Sequence, residues 1–214
     1  MSKYPRTYHL PYSLSITNDD RVSKSVDSLI GIDIVITEKI DGENTGVTRD
    51  GVFARSHAAF TESTWSKEVR QLHSMIRSSI DEDVFLFGEN MEGIHSIEYT
   101  KLTSYFYMFG VRDNNIWIPW ESIEEYSFLL DIPTVPVLFK GVLSTSKELK
   151  ELVESLVKQP SELGGQREGI VIRNAGMFHN DDFSENVVKW VRKGHVQTTS
   201  HWTRDWKKAR LINP

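Results

Sequence analysis

The pattern of apolar and polar positions predicts a chain rich in short strands with two helices. Ile32 to Ile36 alternates and reads as a strand that delivers Lys39 to its end. Thr45 to Thr48 and Val52 to Arg55 flank Arg49-Asp50-Gly51, a hairpin signal because Asp-Gly tolerates positive φ. Trp65, Val69, Leu72 and Ile76 recur at helical spacing and predict a helix over 64–78. Val84 to Phe87 is a short apolar strand that runs into Gly88-Glu89. Tyr105 to Val111 and Ile116 to Trp120 bracket Asn114-Asn115 and predict a second hairpin, followed by a strand over 135–139. Thr145 and Glu148 have capping-box spacing ahead of Leu149, Leu152, Val153 and Leu156, which predicts a second helix. Gly169 to Arg173 and Val187 to Val191 are the last strands. Strands outnumber helices and hairpins recur, so the expected fold class is α+β with a largely antiparallel sheet.

Composition changes this picture little. The 214 residues are 39% hydrophobic and 26% charged, enough apolar material for a sizeable core. No apolar run is long enough to cross a bilayer, and Met1 to Pro5 has no signal-peptide core. Cysteine is absent, which excludes disulfides and thiolate metal sites. A cytoplasmic protein without membrane contact is the expectation. The net charge of −5 argues against a sequence-independent DNA coat. The charge is uneven, however. Lys189, Arg192, Lys193, Arg204, Lys207, Lys208 and Arg210 stand against Asp205 alone, which suits local grip on a polyanion. The expected division is a body over 1–193 and a short basic tail over 194–214.

The candidate chemistry centres on Glu38-Lys39-Ile40-Asp41-Gly42-Glu43-Asn44. A lysine at a strand end before Asp-Gly fits a nucleophile on a tight turn, with Gly42 letting the backbone come close to a ligand. By itself the motif is equally an ordinary surface lysine before a turn. Other charged residues accompany it. Arg55 follows on the second arm of the hairpin, Glu89 closes a strand, Glu168 precedes an apolar strand, and Lys189 sits inside another. A charge within an apolar strand faces solvent or a site, since burying it unpaired costs several kcal/mol. The histidines, including His95, His179, His195 and His201, show no metal-ligand spacing. Trp65, Trp117 and Trp120 read as core, whereas Trp190, Trp202 and Trp206 lie among basic residues where base stacking is an alternative.

This ordered set resembles the covalent nucleotidyltransferase superfamily of polynucleotide ligases and mRNA capping enzymes. Within it, the chain is most similar to the RNA ligase family of the bacteriophage RNA ligase 2 type. Lys39, Gly42 and Asn44 fit that family's K-x-x-G-x-N motif, and Arg55 fits the arginine of the next hairpin. Glu89 fits the third motif, Phe109 the aromatic that stacks on adenine, Glu168 the fourth motif and Lys189 the first lysine of the fifth. Gly88-Glu89-Asn90, His95-Ser96-Ile97 and His195-Val196-Gln197-Thr198 look like a bacterial and phage branch. Val191 stands where the family commonly has a second lysine, and Gly110 where many members have Asp.

The resemblance implies an antiparallel-rich, ATP-grasp-like adenylyltransferase domain. It implies that Lys39 attacks ATP to form lysyl-AMP, that AMP passes to an RNA 5′-phosphate, and that a 3′-hydroxyl then seals the bond. Lys39, Arg55 and Lys189 are the implied catalytic residues. Glu38, Asn44, Glu89, Phe109 and Glu168 join them in holding the nucleotide, with Glu168 on Mg²⁺ or Mn²⁺. A free lysine is mostly protonated at neutral pH, so a nearby cation or burial is expected to lower the pKa of Lys39. The stretch after Lys193 is too short for the OB barrel of DNA ligases and capping enzymes, so no OB-fold domain is expected. A protein partner for sealing is an open expectation. The alternatives are a DNA ligase core that needs a partner subunit and a non-catalytic nucleic-acid-binding module. A free tail further predicts that truncation after Lys193 spares adenylylation and impairs transfer to RNA.

Overall fold

A computed structural model describes residues 3–14, 16, 20–55, 59–194 and 205–212. The strands and helices follow in chain order. β1 is Tyr8–His9, β2 Asp33–Lys39, β3 Glu43–Val47 and β4 Val52–Ala54. Helix α1, Lys67–Ile76, precedes β5, Val84–Asn90, β6, Phe106–Asp113, and β7, Ile116–Trp117. Helix α2 is Trp120–Leu130, β8 Val137–Val142 and α3 Ser146–Leu156. The chain continues with β9, Gly169–Asn174, β10, Phe178–His179, the short α4, Phe183–Asn186, and β11, Val187–Val191.

The strands form two sheets. The five-stranded sheet has the order β1-β11-β9-β2-β8, and the six-stranded sheet β10-β7-β6-β5-β3-β4. All neighbours pair antiparallel except β1 on β11, so the α+β, antiparallel-rich expectation holds. The chain passes from one sheet to the other at the turn after β2. Lys39 is the last residue of β2, and Glu43 the first of β3. This crossover is what places the lysine between the sheets.

β2 is buried on both faces, and its alternation divides two cores. Ile34 and Ile36 pack with Leu149 and Val153 of α3, which lies outside the five-stranded sheet. Val35 joins the larger core with α1, β5, β6 and Ile123 of α2. A third, aromatic cluster of Phe53, Phe87, Trp117, Phe178 and Phe183 is lined by Tyr4, Phe109 and Val171. Helix α3 begins as predicted, with the Thr145 hydroxyl accepting from Glu148 N–H.

Several local expectations need correction. The second hairpin stops short of residue 120: β7 ends at Trp117, with one further bond from Ile118 N–H to Val111 O. Trp120 instead starts α2, whose apolar side chains form no clean stripe because Phe128 and Leu129 are exposed. The strand predicted over 135–139 runs from Val137 to Val142. The Arg49-Asp50-Gly51 turn uses no positive φ. It is closed by Thr48, whose N–H donates to Gly51 O at 3.0 Å and whose hydroxyl accepts from Asp50 and Gly51 N–H. Gly42 likewise has no positive φ. A side chain there would collide with Asn90 O, at 2.5 Å from its Cβ, so glycine is required by the close passage of β5.

The described part of the expected tail is docked on the body. Ala209 N–H donates to Glu92 O, Ile94 N–H to Lys207 O and Ile212 N–H to Leu102 O, and Ala209 is buried in the larger core. Lys208 pairs with Glu68. Trp206 meets Trp65 edge-on, and Trp190 is buried against the α3 core. Trp202, Arg204, His195, His201 and the stretch 195–198 lie outside the described residues. Among the described residues, no helix is long and apolar enough to cross a membrane.

Candidate active site

A cavity of about 350 Å³ opens between the two sheets. The five-stranded sheet contributes Thr37, Glu38, Lys39, Val171, Arg173 and Lys189 to its wall, and the six-stranded sheet Asn44, Glu89, Phe109 and Trp117. Arg55, one residue past β4, lines it too. The structure therefore gathers Lys39, Glu38, Asn44, Arg55, Glu89, Phe109 and Lys189 around one space. Glu168 reaches the same place through Lys39.

Lys39 Nζ lies 2.8 Å from both carboxylate oxygens of Glu168. Glu168 is the residue before β9, and Lys39 pairs with Gly169 across the β2–β9 ladder. The register thus brings the two residues close, and Glu168, lying just outside the strand, is not held to its alternation. Burial would push the lysine pKa down, but Glu168, Glu89 and Asp41 outweigh it and hold the pKa above the ordinary lysine value. The expectation of a lowered pKa is corrected: in this state Lys39 is a charged, ion-paired ammonium. Lys189, by contrast, is pushed down by burial and by Lys39, partly offset by Asp20 and Glu168.

Glu89 is raised to about 8 by burial, against the pull of Lys39 and reinforced by Glu168 and Asp41. Glu38 lies on β2 next to Lys39, so alternation turns it to the other face. Its Oε2 accepts from Glu162 N–H at 3.0 Å, with Arg167 at 3.9 Å, while Oε1 is buried without a partner. Asn44 Oδ1 is also buried without a partner. An unsatisfied acceptor such as Asn44 Oδ1 at a cavity wall is what a ligand with N–H or O–H groups would meet.

Asp41 has a structural task that the sequence reading missed. Its Oδ2 accepts from Ser96 N–H at 2.8 Å, Ser96 Oγ at 2.6 Å and Ile97 N–H at 3.0 Å. The turn after Lys39 is thereby tied to the loop after β5. The N-terminal segment was missed as well. Tyr4, Pro5, Arg6, Thr7 and Asp20 all line the cavity. The Tyr4 ring packs 5.1 Å from Phe109 and from Phe183, and its carbonyl accepts from Arg55 Nε. Burial pushes the Tyr4 phenol up to about 12. Arg173, on β9, lines the cavity as well. It donates to Ile118 O at 2.9 Å and lies over the Phe178 ring, and burial lowers it to about 10.

The sequence profile of the RNA ligase family matches residues 32–191. The chain belongs to the RNA ligase family. All of Lys39, Arg55, Glu89, Phe109, Glu168 and Lys189 fall inside the matched segment, whereas the N-terminal wall, from Tyr4 to Asp20, falls outside it. None of the curated proteins compared with the chain matches it. Among solved structures, Naegleria gruberi RNA ligase, crystallised as an E227A mutant with ATP and Mn, is 18% identical with a TM-score of 0.59; the match covers 88% of this chain and 59% of that one. An archaeal ATP-dependent RNA ligase is 15% identical with a TM-score of 0.58, over 90% of this chain and 48% of that one. An Aquifex aeolicus protein assigned as an ATP-dependent DNA ligase is 17% identical with a TM-score of 0.61, over 90% of this chain and 50% of that one. These likenesses are of fold. The chain spans about half to three fifths of the length of the structures it matches.

Proposed function

We propose that this chain is an ATP-dependent RNA ligase in which Lys39 carries AMP. The observation that supports it most is the convergence of Lys39, Glu168, Glu89, Phe109 and Lys189 on one cavity between two sheets. In the first step the Lys39 Nζ lone pair forms a bond to the α-phosphorus of ATP. The bond from that phosphorus to the bridging oxygen breaks, and pyrophosphate leaves with the electron pair. The ammonium must first lose a proton, because a protonated amine has no lone pair. Arg55 and Lys189 stabilise the charge that builds on the phosphoryl oxygens, where positioning and electrostatics dominate. Phe109 stacks on the adenine, Glu89 holds a ribose hydroxyl, the unpartnered Asn44 acceptor receives a donor from the nucleotide or the RNA strand, and Glu38, just before the nucleophile, helps read the adenine.

Among the described residues no three metal-ligating side chains gather, so a divalent cation here would rest on fewer protein ligands. Glu168 is close enough to Glu89 to disfavour its charge. Mg²⁺ takes one or two carboxylates together with substrate phosphates and water. Glu168 is the residue assigned to hold Mg²⁺ or Mn²⁺, which when bound supplies positive charge at the phosphates. The later steps move AMP from Lys39 to an RNA 5′-phosphate and expel it when a 3′-hydroxyl attacks. Sealing by this chain, with or without a protein partner, and a cytoplasmic setting are part of the same proposal.

Incubation with α-labelled ATP and magnesium tests the first step. A covalent adduct is expected in the wild type and absent in Lys39→Ala. An adduct that survives the substitution sinks the assignment. A DNA ligase core is the second reading, favoured by the Aquifex aeolicus likeness. Sealing of nicks with RNA-containing ends but not of DNA-only nicks supports the RNA ligase, and the reverse preference supports the alternative.

A further inference from the structure

β1 lies parallel to β11 with His9 in register with Lys189, and Leu10 N–H donates to Lys189 O at 2.7 Å. On its other side, His9 N–H donates to Arg21 O at 2.7 Å, and His9 O accepts from Ser23 N–H at 2.8 Å. These bonds fix the segment from Arg21 to Ser23 beside β1 and so carry Asp20 to the cavity wall. Asp20 Oδ1 lies 3.2 Å from His9 Nε2 and 3.9 Å from Lys189 Nζ.

His9 is 2% exposed. Its Nδ1 lies 3.0 Å from Ser13 Oγ, which accepts from Val191 N–H at 3.0 Å. One proton arrangement satisfies this whole line with a neutral ring. The Ser13 hydroxyl donates to Nδ1 in preference to Val191 O at 3.3 Å, and Nε2–H donates to Asp20. In that arrangement the ring orients the carboxylate through a hydrogen bond and leaves its charge available to Lys189.

Lys189 needs such a partner. It is a point charge on a flexible four-carbon stem, and Lys39 and Arg55 both repel it. Glu168, the other nearby carboxylate, already has both oxygens on Lys39. A separation of 3.9 Å exceeds a hydrogen bond. Asp20 therefore holds Lys189 by charge without locking it, and the ammonium remains able to meet a phosphate.

We infer that Asp20, braced by His9 and Ser13, is a positioning residue that keeps Lys189 aimed into the cavity, where it meets the phosphate as Lys39 attacks. The inference rests on the lysyl-AMP reading above. It also gives the N-terminal segment, which lies outside the matched family region, a part in the reaction.

Single-turnover formation of the adduct in the full chain, with α-labelled ATP and magnesium, tests it. Asp20→Asn is expected to slow the step at saturating ATP by roughly tenfold, with a much smaller change in the ATP concentration for half-maximal rate. Asp20→Glu, which keeps the charge, should recover part of the rate. The deciding measurement is the double-mutant cycle. In a Lys189→Ala background, Asp20→Asn should cost nothing further, because its effect passes through Lys189. Additive losses overturn the inference, and so does an Asp20→Asn rate equal to wild type. If Asp20→Asn melts at lower temperature, the Asp20→Glu comparison and the cycle still separate positioning from folding. Absence of any adduct in the wild type instead sinks the nucleotidyltransfer reading, and this inference with it.

Discussion

Lys39 and Glu168 form a two-oxygen ion pair at 2.8 Å, with the carboxylate almost wholly buried and the ammonium 27% exposed toward the cavity. The pair stabilises the lysine in the form that cannot attack. Removing the partner charge with Glu168→Gln lowers the Lys39 pKa, yet it also removes the carboxylate assigned to the cation. The second effect should win, since loss of one charge-stabilising group at such a site costs about a hundredfold or more. Adduct formation by Glu168→Gln at neutral pH should therefore fall by roughly that factor. A faster adduct would mean that Glu168 only restrains the lysine.

Phe109 is half-buried at the cavity wall, with Tyr4 edge-on at 5.1 Å. Base stacking on an aromatic contributes about 1–3 kcal/mol. Phe109→Ala should thus raise the ATP concentration for half-maximal adduct formation on the order of tenfold, while Phe109→Tyr should change it little. An unaltered ATP dependence in Phe109→Ala would assign the ring to the aromatic core instead.

Burial and nearby carboxylates raise Glu89 in the folded protein to about 8, above its ordinary value of 4.5. Between these two values the folded state holds a proton that the unfolded state has released. The stability contributed by Glu89 is therefore complete below the lower value and is lost as pH rises through the window. The thermal midpoint of wild type relative to Glu89→Gln should decline as pH is raised from about 5 to 8 and level off above it. A difference that is flat with pH would refute the buried, proton-holding carboxyl.

The strands other than the two-residue β1 and β10, and Lys39, were legible because alternation and turn residues act locally. The pairing of β2 with β9, which brings Glu168 near Lys39, was not legible, because two strands read separately carry no register. Helix α2 was not legible: Phe128 and Leu129 face outward and blur the helical period. The cavity's N-terminal wall was hidden for a different reason. β1 has two residues, and Tyr4, His9 and Asp20 acquire meaning only when β1 pairs with β11 at the far end of the chain. The state of Lys39 was misjudged because its charge balance depends on Glu168, Glu89 and Asp41, three residues brought together by tertiary structure.

The C-terminal segment gives a prediction opposite to that of a free tail. Ala209 is buried in the larger core, Tyr105 donates its hydroxyl to Ala209 O at 3.1 Å, and Lys208 lies 3.8 Å from the buried Glu92 carboxylate. The same segment bonds Gly93 and Ile94, in the loop whose Ser96 and Ile97 are held by Asp41. Deleting everything after Lys193 opens part of the core and takes a cation from Glu92. The cost should be on the order of 3 kcal/mol, by analogy with cavity formation and loss of a partner to a buried polar group. The denaturant midpoint should fall accordingly. Adduct formation should fall with it, because the loop that braces the nucleophile turn loses its own support. Asp41→Asn, which weakens the link between turn and loop, should slow adduct formation in the full chain and have a smaller effect in the truncated one. A truncated protein with unchanged midpoint and adduct rate would show that the docked segment supports neither the core nor Lys39.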